Sequence, residues 1–114
     1  MTIYLDDRGI TPAKCKLDRR EDYISISFLS GKPVVDTWQL SLIEARKFLK
    51  KLKLVLYDRI GMLTDQGRDF RIVRRDNLIV VQVRITWRYF KIVYMDMDGV
   101  ENLIDQLETY LDVD

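Results

Sequence analysis

The sequence predicts an α+β domain made of two tandem β-meander–helix repeats (βββα, βββα). The repeats are related by a pseudo-two-fold and form antiparallel sheets with two helices. Three observations carry this. Residues 77–94, NLIVVQVRITWRYFKIVY, are the most strand-like run in the chain, rich in the β-branched and aromatic residues that suit a pleated surface. That run has a near-copy 55 residues upstream. Arg74-Arg75-Asp76-Asn77 falls on Arg19-Arg20-Glu21-Asp22, and Ile79, Val81 and Val83 fall on Ile24, Ile26 and Phe28. The same offset carries Ala45, Phe48, Leu49, Leu52 and Leu56 onto Val100, Leu103, Ile104, Leu107 and Leu111, two apolar stripes at helical spacing. One three-stranded sheet with one helix leaves an apolar face half covered. Two copies can close on each other as a homodimer would. The expectation is a single domain over 1–114, with repeat one at about 13–57 and repeat two at about 68–112.

Residues 3–5 read as a short leading strand, and Gly9 and Pro12 punctuate the loop that follows. Residues 14–20 alternate, with Cys15 and Leu17 against Lys14, Lys16 and Arg20, a half-buried strand. Glu21-Asp22 supplies turn chemistry. Residues 23–29 set Ile24, Ile26 and Phe28 against Ser25 and Ser27. Ser30-Gly31-Lys32 turns the chain, and Pro33 opens a third strand over 34–40. Ser41 and Glu44 form a capping box, each side chain satisfying a backbone donor at a helix start. The first helix runs to about Tyr57, with a short strand over 54–57 as the alternative. After a linker at 58–67, strands at 68–75, 78–85 and 89–94 repeat the meander, with turns at Asp76-Asn77 and Thr86-Trp87-Arg88. Residues 59–63 offer a second lead strand. Asp96 or Asp98 caps the second helix.

Several chemistries are excluded or left without support. The chain has no histidine, so imidazole acid–base work and histidine metal sites are absent. Its one cysteine, Cys15, supplies no internal disulfide and fits a reducing compartment, cytoplasmic or nucleoid-associated. No signal peptide or membrane span is visible. The five glycines are too dispersed for a phosphate-cradling loop. Nucleophile, base and oxyanion donor never coincide, so the expectation is no catalysis, no cofactor and no metal. The net charge of +1 hides a split. Residues 1–95 carry +8, and residues 96–114 hold seven acids and no base. Such asymmetry accompanies nucleic-acid binding or, equally, two solvated helix faces of opposite sign.

Alternation places Lys14, Lys16, Arg20, Tyr23, Ser25, Ser27, Asp36 and Trp38 on the outer face of repeat one. It places Arg71, Arg75, Val80, Gln82, Arg84, Tyr89 and Lys91 on that of repeat two. Cations neutralise phosphates and rings stack on unpaired bases. The same mixture also suits an antiparallel sheet with one wet face. Trp38 and Trp87 read first as core or helix contacts, and Trp87, beside Arg88, also reads as a base platform or partner anchor. Arg19-Arg20 and Arg74-Arg75 sit at equivalent hairpin ends, either as basic corners or paired with Glu21 and Asp76.

Two meanders, each ending in a helix, with basic and aromatic outer strands resemble the purine-rich-element-binding (PUR) repeat and the related Whirly and positive-cofactor-four single-strand binders. Residues 23–36, YISISFLSGKPVVD, are similar to the coactivator's hairpin around its Gly-Lys turn, and residues 88–92, RYFKI, resemble the PUR third strand. Those families usually carry four strands before each helix, where this sequence displays three clear ones. The resemblance implies a cofactor-free binder of single-stranded DNA or RNA. The expected interface is Lys16, Arg20, Tyr23, Arg71, Arg75, Arg84, Trp87, Tyr89 and Lys91. The alternative is a protein-interaction module, a small adaptor or inhibitor, working through its oppositely charged helices, Lys47, Lys50 and Lys51 against Glu101, Asp105 and Glu108. A homodimer is compatible with either.

Overall fold

The computed structural model describes residues 4–6, 12–29, 36–59, 61–64, 69–75, 78–86 and 89–111. The turns expected at Ser30-Gly31-Lys32 and Asp76-Asn77 lie outside these residues, as does Trp87. Repeat one comprises β1 (Tyr4–Asp6), β2 (Pro12–Arg19), β3 (Tyr23–Leu29), β4 (Asp36–Ser41) and α1 (Leu42–Tyr57). Repeat two comprises β5 (Met62–Thr64), β6 (Phe70–Arg75), β7 (Leu78–Thr86), β8 (Tyr89–Asp96) and α2 (Met97–Leu111). The fold is α+β, and the βββα unit occurs twice. The helices begin 55 residues apart, at Leu42 and Met97, as do β3 and β7, at Tyr23 and Leu78. Residues 54–57 are helical, which settles the strand alternative. Each meander also has a three-residue lead strand, so four strands precede each helix.

All strand pairings are antiparallel, in the order β4-β3-β2-β1-β8-β7-β6-β5. β1 stitches the two meanders together: Tyr4 is opposite Ala13 on β2 and opposite Met95 on β8. The sheet therefore has one continuous inward face. It carries Leu17, Ile24, Ile26, Trp38 and Leu40 from repeat one, and Phe70, Ile72, Ile79, Val81, Val83, Val93 and Met95 from repeat two, all buried. The apolar stripes of both helices pack into this face. Strand twist accumulates across so many strands, and the edge strand β4 comes round to contact β7.

The repeats interlock. α1 packs on β3 and β4 of its own repeat and on β5 and β6 of the other; α2 packs on β7 and β8 and reaches β2. Lys53 Nζ and Glu108 Oε2 form an ion pair between the helices at 3.1 Å. These two residues occupy equivalent positions in the repeats, so the pseudo-two-fold passes between them.

Both helices start on equivalent caps. The Ser41 hydroxyl accepts from the Glu44 amide at 3.1 Å and the Glu44 carboxylate accepts from the Ser41 amide at 3.2 Å. Asp96, at the matching position, accepts from the Gly99 amide at 2.7 Å. Ser41→Ala and Asp96→Ala are each expected to cost about 1 kcal/mol, measured as a lowered urea midpoint. No change in either variant would mean that these caps contribute nothing. At its far end α1 closes with Asp58, whose amide donates to the Leu54 carbonyl at 3.1 Å. Arg59 then takes a left-handed conformation (φ 55°), the position after a helix that usually falls to glycine. None of the described helices is long and apolar enough to cross a membrane.

Candidate nucleic-acid interface

The helices cover one face of the sheet and leave the other open. Which side chains reach the open face follows from register. On β2 and β3, Lys16 is opposite Ser27 and Asp18 is opposite Ser25; all four face outward. Arg20 follows on the same side and pairs with Asp18 at 3.1 Å, an exposed pair worth little. Tyr23 is half-buried at the head of β3, opposite the cap residue Ser41. In repeat two, Arg71 is opposite Gln82, and Arg75 is opposite Leu78. Lys16 and Arg20 thus recur as Arg71 and Arg75, two cations four residues apart on one side of a strand.

Strand alternation splits each Arg-Arg dipeptide between the two faces. Arg20 and Arg75 point out; Arg19 and Arg74 point in, each toward the helix of the other repeat. Arg74 Nη1 donates to the Val55 and Leu56 carbonyls of α1 at 3.0 and 3.1 Å. Arg19 Nη1 donates to the Tyr110 carbonyl of α2. Arg19 and Arg74 are therefore helix caps and leave the exposed surface to their neighbours.

Around Arg71 and Arg75 the open face forms a shallow depression of about 160 Å³. Its floor is Val73, Val80, Ile92 and Tyr94, and Gln82 lies at its side. Neither arginine takes part in an ion pair among the described residues. Their guanidinium groups flank an apolar and aromatic floor, which suits a planar ring bearing a phosphate.

Two residues that alternation places on the outer face do not join this group. Lys91 is only 8% exposed and lies opposite Val83, on the inward face; it cannot share a surface with Arg84, which is opposite Phe90. Trp38, which alternation places outside but which reads first as a core or helix contact, is 4% exposed, opposite Ile26 and against Phe48 of α1, as that first reading expects. The third strand of both repeats is thus turned over relative to expectation. Both parities of 89–95 are otherwise apolar or aromatic, and the one charged side chain, Lys91, points to the wrong face, so alternation alone misleads. The signal that decides is the helix cap. Ser41 ends β4 exposed and Asp96 ends β8 only part-buried, and residues an even number of steps before them share their face: Gln39 and Thr37, Tyr94 and Ile92. Counting back from the cap would have found Tyr94 and Ile92. The side chain of Tyr89 is outside those described, and Trp87 is outside the described residues altogether.

Arg84 is on the open face but is engaged locally. Its guanidinium sits 5.0 Å from the Phe90 ring centroid, and its Nε is 3.9 Å from Asp69. A β-bulge between Arg84 and Thr86 interrupts the β7–β8 ladder there. Beside it, Thr37, Trp38 and Gln39 of the edge strand, Glu44, Asp69, Arg84 and Ile85 line a cleft of about 300 Å³. Two carboxylates, Glu44 and Asp69, face one cation, Arg84, in that cleft, so it does not favour an anion.

No family model and no curated protein matches the chain. The fold is similar to a solved structure concerning SsgB, in which mutations correlate to longitudinal cell division during sporulation of Streptomyces coelicolor. The TM-score is 0.53 at 10% identity, covering 96% of this chain and 86% of that one. At that identity the likeness concerns the fold alone.

Proposed function

We propose that this protein binds single-stranded nucleic acid, DNA or RNA, across the open face of its sheet, without catalysis or cofactor. The observation that carries the reading is the depression in which Arg71 and Arg75 flank Tyr94 and Ile92. Unpaired bases stack on the tyrosine and the aliphatic floor, contributing about 1–3 kcal/mol per base on an aromatic platform. The arginines neutralise phosphates. Lys16, Arg20 and Tyr23 continue the track on repeat one, four strand spacings away, roughly 19 Å along the sheet. The lead strands β1 and β5 add support, since the PUR and Whirly binders that the sequence resembles usually carry four strands before each helix. On this reading the protein works in the cytoplasm or on the nucleoid.

The test is fluorescence anisotropy of a labelled oligonucleotide at low salt. Micromolar or tighter binding is expected, falling steeply as salt rises. Arg71→Ala/Arg75→Ala should weaken it on every sequence alike and flatten the log–log salt slope by about 1.4, two single-strand phosphates at about 0.7 each. Absence of binding at micromolar protein ends the proposal. A second reading, a protein-interaction module, is favoured by the exposed cations of α1 beside the exposed carboxylates of α2. A pull-down partner that survives nuclease treatment would support it.

A further inference from the structure

Charge is inverted between the repeats on the helix surface turned away from the sheet. Arg46 on α1 corresponds to Glu101 on α2, Lys50 to Asp105 and Lys53 to Glu108, all at the same offset. Lys53 and Glu108 satisfy each other across the pseudo-two-fold. The other two sets stay exposed, and none of these four residues enters an ion pair among the described residues. Arg46, Lys47 and Lys50 share one stripe of α1 at helical spacing. The stripe is bracketed by two exposed apolar side chains, Ile43 at 66% and Tyr57 at 58%. The helix layer therefore has a cationic half and an anionic half, side by side, with apolar anchors at the ends of the cationic one.

We propose that this layer is the interface of a homodimer in which α1 of each copy lies on α2 of the other. A two-fold axis between the layers, running along the helices, brings cationic stripe onto anionic stripe twice. An axis running across the helices would set α1 on α1, cation on cation. A partner of single charge matches only half the layer, whereas a second copy matches both halves. Ile43 and Tyr57 supply the apolar burial, and the charges fix the register. The open sheet face lies on the opposite side of each copy, so the dimer and the nucleic-acid reading stand or fall separately.

Sedimentation velocity of the nuclease-treated full chain tests this at low salt and at 1 M salt, where screening shortens from about 10 Å at 0.1 M to about 3 Å. The wild type should dimerise at low salt and weaken at high salt. Arg46→Glu/Lys50→Glu makes both stripes acidic, and Glu101→Lys/Asp105→Lys makes both basic. Each alone should lose about a hundredfold or more in self-affinity. An equimolar mixture should recover a one-to-one dimer near wild-type strength. Far-UV circular dichroism checks that each variant is folded, and Lys50→Ala/Asp105→Ala replaces any that is not, with a smaller loss expected. A wild type that stays monomeric at about 0.1 mM protein, a dimer indifferent to either reversal, or folded variants that fail to recombine would each overturn the proposal.

Discussion

Phe48→Ala is expected to lower the unfolding free energy by about 3–5 kcal/mol, with a fall in Tm of roughly 15–30 °C for a domain of this size. Phe48 is 1% exposed and sits between two rings from different repeats. Its centroid is 4.9 Å from Trp38 on β4 and 5.0 Å from Phe70 on β6, and those two are 5.8 Å apart. All three contacts are edge-to-face, the arrangement that ring quadrupoles favour. The variant thus removes the central ring at the point where α1 fastens the sheet edge of one repeat to the first long strand of the other. The pseudo-symmetric positions of Trp38 and Phe48 are Val93 and Leu103, both buried. The core is therefore heavy with aromatics at one end and aliphatic at the other. Phe48→Leu, which installs the residue of the second repeat, should cost less, about 1.5 kcal/mol. Urea titration of both variants separates ring contacts from volume. A loss below about 1 kcal/mol for Phe48→Ala would mean that the ring cluster is not closely packed.

The parts of this architecture that were legible in the sequence are those set by local periodicity. Ser41 and Glu44 marked the start of α1, the apolar stripes marked both helices, and the offset from Ile24 to Ile79 marked the duplication. The lead strands were only doubtfully legible, because three residues such as Met62–Thr64 are too few to show alternation. The facing of β4 and β8 misled for a physical reason. Trp38 is opposite Ile26, and Lys91 is opposite Val83, yet neither pairing is visible until register is known. Along β8, Phe90, Ile92 and Tyr94 are as apolar as the buried Val93 and Met95. That same ambiguity hid part of the floor of the candidate site, since alternation puts Tyr89 and Lys91, not Tyr94 and Ile92, on the outer face. Arg71 and Arg75 were legible because their alternation with the buried Phe70 and Ile72 is unambiguous. The inward arginines were not, because their partners lie in the other repeat.

Arg74→Met is expected to cost about 1.5–3 kcal/mol, the range for charge-assisted hydrogen bonds. α1 ends with no basic residue in its last turn, and α2 does the same. The last carbonyls of a helix lack intrahelical donors and carry the negative end of its dipole. Arg74 answers both needs from β6, part-buried, with one nitrogen shared between the Val55 and Leu56 carbonyls. Methionine keeps most of the stem and removes the donors and the charge. Arg74→Lys keeps the charge and loses the planar donor, so it should recover roughly half. Arg19→Met, whose contact to Tyr110 is exposed, should cost less, about 1 kcal/mol. Hydrogen exchange gives a readout that a general loss of stability would not mimic. Amides in the last turn of α1, Asp58 among them, should lose protection in Arg74→Met before those of α2. Equal loosening of both helices would contradict a local capping role. Each repeat thus leaves its own helix end unfinished and completes that of the other. A chain cut between α1 and β5 should therefore yield two halves that do not fold separately, each lacking both its cap and part of the sheet that its helix covers.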